Sequence, residues 1–152
     1  MNLTLKSKGK KFISLLLTLC MVLIMLPGAE AEAVEPDDIM INVSFTLTGD
    51  LDQDIRFNGG SDDVTFVVSG ERTVNGAITC NTGNLTITGG SADKLTINTT
   101  DDDCIYSSSG DVEISGLTVD ATTEKSDSGA IYLASSKTFI MSSGELNFTA
   151  TT

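Results

Sequence analysis

The sequence has no histidine and no tryptophan, and among its 152 residues there are only two prolines, two tyrosines and three cysteines. Histidine is the commonest general base and a frequent ligand of transition metals, so histidine-based catalytic and metal sites are excluded. Nine basic residues stand against twenty-one acidic ones, and the formal net charge is −12. Nucleic acids and anionic membrane surfaces attract lysine and arginine patches, so this charge argues against both as partners.

The N-terminal segment has the order of features that is typical of a secretory signal peptide. Four lysines between residues 6 and 11 precede the apolar run FISLLLTLCMVLIML, which is followed by Pro27-Gly28 and by Ala29-Glu30-Ala31. We predict a signal peptide at residues 1–31. A retained membrane anchor is the alternative, but the run is short for a span and ends in helix-breaking residues. We therefore expect a secreted or cell-surface protein without stable membrane insertion after cleavage.

The rest of the chain contains a repeat of about 27 residues. Segment AITCNTGNLTI (77–87) aligns with CIYSSSGDVEI (104–114), and this in turn aligns with the region around TFIMSSG (138–144). The triplet CIY also returns as AIY at 130–132. Repeats of this length are characteristic of stacked solenoid units.

Within each repeat, apolar residues alternate with polar ones, as in LTI, VEI and LTV, and Gly, Asn, Asp or Ser follow. Period two predicts strands with one buried face, and the following residues favour turns. The prediction is an all-β, right-handed parallel β-helix at 42–152, preceded by a linker at 32–41 and by the signal helix. An antiparallel sandwich is the alternative. The predicted inward ladders are Ile78/Ile105/Ile131, Leu85/Val112/Phe139, Ile87/Ile114/Met141 and Leu95/Leu117/Leu146.

The two cysteines beyond the leader fall on adjacent predicted coils. The register stacks Cys104 on Ala77 and Cys80 on Ser107, which separates the cysteines by about 10 Å along the strands. An odd offset also directs the two side chains to opposite faces, and a disulfide needs closer Cα atoms. We predict two free thiols.

The stretch DDCIYSSSGDVEISG (102–116), with the partial echoes GAI, GNLTITGG and SGAIY, resembles a known repeat. It is similar to the repeats of bacterial secreted proteins described as carbohydrate-binding domain-containing, which form pectate-lyase-like right-handed parallel β-helix coils. The resemblance covers roughly residues 64–150, and Cys104 stands where those repeats usually have glycine. It implies glycan binding at a bacterial cell surface and assigns no binding residue.

Acidic residues gather just before the strand that carries CIY or AIY. Asp101, Asp102 and Asp103 precede the first, and Asp127 precedes the second. Stacking would align such residues along one edge, and Ca²⁺ prefers clusters of oxygen ligands, so the three consecutive aspartates are candidate Ca²⁺ ligands. The alternative is a set of solvated turns whose charge discourages aggregation at the sheet edge.

Tyr106 and Tyr132 each follow the inward isoleucine of equivalent strands, so both are expected to point outward, one coil apart. Aromatic rings contact the apolar C–H surface of sugars, and nearby carboxylates accept hydrogen bonds from sugar hydroxyls. Tyr106, Tyr132, Asp103 and Asp127 are therefore the candidate glycan-binding residues. An ordinary cross-strand aromatic pair is the alternative interpretation.

These observations predict a non-catalytic glycan-binding or adhesive module. A structural spacer belonging to a larger surface protein is the first alternative. A polysaccharide lyase or hydrolase is the second, although Arg56 and Arg72 are the only arginines that could assist proton abstraction. No polar cap follows Phe148, so we also expect a C-terminal coil that is shortened or that makes end-to-end contact with a partner.

Overall fold

The computed structural model describes residues 38–58, 62–81 and 83–151. The predicted signal peptide lies outside the described residues, and so does most of the predicted linker at 32–41. Within the described ranges the chain forms short β-strands joined by turns. The strands are β1 (Ile39–Ile41), β2 (Phe45–Leu47), β3 (Ile55–Phe57), β4 (Val64–Val68), β5 (Glu71–Asn75), β6 (Ile78–Cys80), β7 (Leu85–Thr88), β8 (Lys94–Thr99), β9 (Ile105–Ser107), β10 (Val112–Ser115), β11 (Thr118–Thr123), β12 (Ile131–Leu133), β13 (Phe139–Met141) and β14 (Glu145–Ala150).

The strands form three parallel sheets that run along the molecule. Sheet A has the order β1-β3-β6-β9-β12, sheet B the order β2-β4-β7-β10-β13, and sheet C the order β5-β8-β11-β14. Each strand therefore pairs with its equivalents in the coils before and after it, and one strand from each sheet makes one coil. The result is a β-solenoid of about four turns, which confirms the all-β parallel β-helix prediction and excludes the antiparallel sandwich.

Strand β1 lies within the range that the sequence predicted as a linker. It pairs in parallel with β3, with Ile39 beside Ile55 and Ile41 beside Phe57. Ile41 is buried and joins the apolar core. The solenoid therefore begins at least as early as Ile39, because an alternating Ile-Met-Ile triplet is enough to add one more strand to sheet A.

Three of the four predicted ladders are confirmed in full. Ile78, Ile105 and Ile131 are neighbours in sheet A. In sheet B, the observed register contains the predicted rows Leu85/Val112/Phe139 and Ile87/Ile114/Met141. The ladder members Ile78, Leu85, Ile87, Ile105, Val112 and Ile114 are fully buried, and each contributes roughly 1.5 to 3 kcal/mol through burial.

The fourth ladder was predicted with the wrong middle residue. Leu95 pairs with Val119, and Val119 pairs with Leu146, so Leu117 is not in the row. The turn from β10 to β11 holds only Gly116 and Leu117. Leu117 is buried at this corner, and its carbonyl accepts a hydrogen bond from the Glu145 N–H. The first inward side chain of β11 is that of Val119, two residues later.

The coils differ in length, so the predicted period of about 27 residues applies only to part of the solenoid. Hydrogen bonds between equivalent residues of successive coils join positions 27 apart in the later coils. In the earlier coils the same kind of bond joins positions 23 or 21 apart, and the mean spacing is roughly 24. The difference lies in the turns, because β5 and β6 are separated by two residues whereas β8 and β9 are separated by residues 100–104.

In the described part of the chain neither Cys80 nor Cys104 forms a disulfide, as predicted. Cys80 pairs in register with Ser107, also as predicted. The expectation that the two side chains take opposite faces was wrong, since both are buried. Cys104 lies in the turn before β9, where strand alternation does not apply, and its Sγ is 3.4 Å from the carbonyl oxygen of Thr122. Burial raises the pKa of the Cys104 thiol, which keeps it protonated.

Within residues 38–58, 62–81 and 83–151, no helix has both the length and the apolar character that a membrane crossing requires.

Candidate functional site

One corner of the solenoid is held together by side chains that bond to the backbone of the next coil. Oδ1 of Asp63 accepts a hydrogen bond from the Asn84 N–H at 2.9 Å. Oδ1 of Asn84 accepts one from the Asp111 N–H, and Oδ1 of Asp111 accepts one from the Thr138 N–H. Asp and Asn at this turn position therefore satisfy backbone donors of the stack, which is the role their side chains commonly take in turns.

Carboxylates at the other corners act in the same way. Oδ1 of Asp54 accepts a hydrogen bond from the Ala77 N–H at 2.7 Å, and Oδ1 of Asp50 accepts one from the Thr73 N–H at 2.8 Å. Asp103, predicted as a ligand for sugar and for metal, accepts a hydrogen bond from the Gly129 N–H at 2.6 Å. Much of the acidity in the turns is thus explained by contacts between coils.

Two further carboxylates have lowered pKa values with identifiable causes. Asp93 accepts hydrogen bonds from the N–H groups of Gly90 and Gly70, at 2.6 and 2.8 Å, and these bonds hold the pKa of its carboxyl below the ordinary value. Asp120 lies 2.5 Å from Nζ of Lys94 and accepts a hydrogen bond from Asn147 at 3.0 Å, which lowers its pKa likewise. Both groups therefore stabilise the fold in their charged form.

We expect the protein to lose stability in acid through these two groups. Because the folded pKa of each lies below the unfolded value, their contribution is present above about pH 4 and is lost as the pH falls through the folded pKa. The melting temperature should fall between neutral pH and about pH 3. The variant Asp93→Asn should melt lower at neutral pH and show a smaller acid-induced fall, since an amide offers only one acceptor oxygen to two N–H donors.

The matched control is Asp127→Asn, at an exposed carboxylate in the turn before β12. Its melting curves should follow those of the unsubstituted protein at each pH. An acid-induced fall that is equally large in Asp93→Asn would show that Asp93 has no part in it.

A groove lies between sheets C and A. The groove has a volume of about 610 Å³. Its lining residues come from the turns that join sheet C to sheet A in several successive coils, so the groove crosses those coils. The lining is mainly carboxylates, amides and hydroxyls, and includes Asp52, Asn75, Asn98, Asp101, Asp102 and Thr122. Of the four acidic residues predicted to align along one edge, Asp101 and Asp102 line this groove.

A row of hydrogen-bonded side chains lies along this groove. Nδ2 of Asn98 donates to Oδ1 of Asn75 at 2.9 Å, and Nδ2 of Asn75 donates to Oδ1 of Asp52 at 2.7 Å. Thr122 continues the row, because it pairs in register with Asn98. This row was not predicted from the sequence. The pattern that would have predicted the row is a polar residue near the end of each sheet C strand. These residues align with one another only when the shorter repeat spacing of the early coils is applied.

The three consecutive aspartates have different environments. Asp101 and Asp102 line the groove, and the carbonyl of Asp102 accepts hydrogen bonds from the hydroxyls of Thr99 and Thr123. Asp103 is bonded to the next coil through Gly129. Across the three described ranges, no three acidic or cysteine side chains form a group that could hold a metal ion. Binding of Ca²⁺ by Asp101, Asp102 and Asp103 stays a prediction.

The two tyrosines form a stacked pair on the outer surface of sheet A. Tyr106 and Tyr132 pair in register, their ring centroids are 5.2 Å apart, and the ring planes differ by 4°. One face of each ring therefore covers the other ring. Tyr132 is about half exposed, while Tyr106 is partly buried. Asp127 is exposed in the turn before β12, and neither Asp103 nor Asp127 is part of the groove lining.

Comparisons of this chain with known protein families, with curated proteins and with solved structures give no match. The structure supports the resemblance noted in the sequence for the parallel β-helix fold alone.

Proposed function

We propose that the protein is a non-catalytic module that binds glycans at the cell surface or outside the cell. The observation that carries the proposal is the polar groove between sheets C and A, which runs across successive coils. A linear saccharide offers hydroxyl groups at regular intervals, and the groove offers carboxylate, amide and hydroxyl groups once per coil, at the strand spacing of about 4.8 Å.

The row Asp52, Asn75 and Asn98 supports this proposal because it is already ordered. The amide groups are held by each other and by the carboxylate of Asp52, so their rotamers are restricted before any ligand arrives. Restricting a side chain on binding costs about 0.5–1.5 kcal/mol, and an ordered row avoids much of this cost. Asp101 and Asp102 line the same groove, are exposed, and can accept hydrogen bonds from sugar hydroxyls.

The tyrosine pair supplies an apolar contact beside the groove. Strand β9, which carries Tyr106, begins directly after the turn in which Asp101 and Asp102 line the groove. Because the rings stack on each other, a sugar would contact their outer edges and the free face of Tyr132. Aromatic surface of this kind accepts the C–H groups of a saccharide.

A structural spacer is the second candidate, and one observation favours it. Asp63, Asp111 and Asp103 are each bonded to a backbone N–H of the next coil, so the acidic turns have a function without a ligand. A polysaccharide lyase has less support. Such an enzyme needs a basic group to abstract a proton, and Arg56 near the groove is paired with Asp38 and Asp54.

A glycan array separates these candidates. The unsubstituted protein should bind at least one class of linear saccharide. Asn98→Ala removes the amide at the centre of the groove and should weaken that binding about tenfold, which corresponds to one lost hydrogen bond to a polar ligand. The double variant Tyr106→Ala with Tyr132→Ala should weaken it by a similar factor.

Thr86→Ala, on the outer surface of sheet B, is the matched control and should bind as the unsubstituted protein does. No binding to any saccharide would favour the spacer. Binding that survives both the Asn98 and the tyrosine substitutions would place the contact elsewhere on the molecule. Release of shortened products from a polysaccharide would instead support the enzyme.

A further inference from the structure

The groove between sheets C and A carries charge of one sign. Its lining includes the carboxylates of Asp38, Asp52, Asp54, Asp101, Asp102 and Glu124. Among the described residues that line it, none is lysine or arginine. The guanidinium of Arg56 pairs with two of these carboxylates, those of Asp38 and Asp54. One positive charge therefore stands against six negative ones, and most of the charge of the groove is not compensated by the described residues.

The remaining carboxylates differ in what they already contact. Asp52 accepts a hydrogen bond from the amide of Asn75, so it is part of the ordered row. Asp101, Asp102 and Glu124 are exposed, and within the described ranges no lysine or arginine forms an ion pair with them. These three carboxylates are available to a cationic partner from outside the molecule.

The acidic side chains are distributed along the groove. Asp101 and Asp102 lie in the turn before β9, Glu124 lies in the turn before β12, and Asp52 lies in the turn before β3. Strands β9 and β12 are neighbours in sheet A, whereas β3 is two coils away from β9. With coils about 4.8 Å apart, the charges cover roughly 15 Å of the stack. A ligand that reaches all of them has an extended shape and carries its positive charges at intervals.

A cleft lined by one sign of charge attracts oppositely charged ligands more strongly than a flat surface does, because its walls focus the field. The net charge of −12 attracts cations to the whole surface, but the groove concentrates this attraction at the amide row. The same field repels a saccharide that carries carboxylate groups, since like charges brought together are unfavourable. The charge of the groove thus distinguishes between classes of linear polysaccharide.

We propose that the groove binds a linear polysaccharide of amino sugars whose amino groups are free and therefore positively charged. This inference rests on the proposed glycan-binding function and adds the chemical class of the sugar. The amino groups pair with Asp101, Asp102 and Glu124, while the hydroxyl groups bond to the amides of Asn75 and Asn98. A basic peptide offers similar charge but lacks a hydroxyl group on every unit, so it makes less use of the amide row.

Calorimetric titration with three oligosaccharides of equal length tests the proposal. The probes are a glucosamine oligomer, its N-acetylated form and a galacturonate oligomer, at about pH 5.5, where amino groups are protonated and aspartates in water are ionised. The glucosamine oligomer should bind roughly tenfold more tightly than the acetylated one, as expected for a few exposed ion pairs. This preference should shrink as the salt concentration rises from about 0.01 to about 0.3 M. The galacturonate oligomer should not bind.

The double variant Asp101→Asn with Asp102→Asn removes two charges and keeps the shape of both side chains. It should bind the glucosamine oligomer only about threefold more tightly than the acetylated one, and its affinity for the acetylated oligomer should change little. The matched control is Asp62→Asn with Glu113→Gln, which removes the same charge at positions outside the groove lining. This control should retain the full preference for the glucosamine oligomer.

The outcomes separate this inference from the function on which it rests. Equal or tighter binding of the acetylated or the galacturonate oligomer would overturn the inference and leave glycan binding in place. The same would follow if the control lost as much preference as the groove variant, or if a lysine oligomer of equal charge bound more tightly than the glucosamine oligomer. Absence of binding to every saccharide would overturn the proposed function, and this inference with it.

Discussion

The variant Ile114→Asp is expected not to fold. Ile114 is fully buried in the ladder between Ile87 and Met141, and the interior around it is apolar. An unpaired carboxylate in such a site costs several kcal/mol, which is comparable with the total stability of about 5–15 kcal/mol of a small domain. Circular dichroism should show loss of the strand signal, or a melting transition that is moved far below that of the unsubstituted protein.

The neighbouring residue provides the control for this experiment. Glu113 is on the outer side of the same strand, and Glu113→Thr introduces the residue found in the same row at Thr65 and Thr86. It gives up one exposed hydrogen bond from Ser142, so its cost should stay within about 1 kcal/mol. If Ile114→Asp melted like Glu113→Thr, Ile114 would not point into a stack of coils.

The variant Gly110→Ala should cost about 3 kcal/mol or more, because two coils touch at this corner. A Cβ added at Gly110 would lie 1.5 Å from the carbonyl oxygen of Gly83, a backbone atom of the preceding coil. Local relaxation is restricted, since the Gly110 carbonyl accepts a hydrogen bond from Oγ of Ser107 at 2.7 Å. The coils would have to separate locally. Denaturation with urea, followed by circular dichroism, measures the loss.

Gly49→Ala is the matched control for Gly110→Ala. No atom lies within 4 Å of a Cβ built at Gly49, so this substitution should leave the denaturation midpoint nearly unchanged. Equal midpoints for the two variants would mean that the close approach of Gly110 to Gly83 does not exist in solution.

The register of sheets A and B could be predicted from β6 onward because the same alternation returns there at a nearly constant spacing. Leu85, Val112 and Phe139 follow one another at intervals of 27 residues, and Ile78, Ile105 and Ile131 at intervals of 27 and 26. Sheet C could not be predicted as well. In SGLTVDATT the alternate residues Leu117, Val119 and Ala121 are all apolar, so the pattern by itself allows more than one register. The length of the preceding turn decides between them, and that length varies from coil to coil.

The acidic turns show a second limit of prediction from sequence. Asp63 and Asp111 look from the sequence like Asp101 and Asp102, yet the first two are bonded to the next coil and the last two line the groove. The difference depends on whether a backbone N–H of the neighbouring coil lies within reach of the carboxylate. That information is three-dimensional, so only the region of the candidate site could be located in advance. The amide row at Asn75 and Asn98 was missed because the early coils are shorter than the predicted period.

The bonds of Asp63, Asn84 and Asp111 to successive coils also bear on how such a protein can change its size. In each of these coils a backbone N–H donates to a side-chain oxygen of the preceding coil, and a side-chain oxygen accepts from a backbone N–H of the following coil. Removing one whole coil therefore brings equivalent donors and acceptors together again. Stability in such arrays is a sum of units and nearest-neighbour interfaces. Duplication or deletion of a gene segment that encodes one coil can therefore lengthen or shorten the stack of coils, and with it the groove, without redesigning the protein.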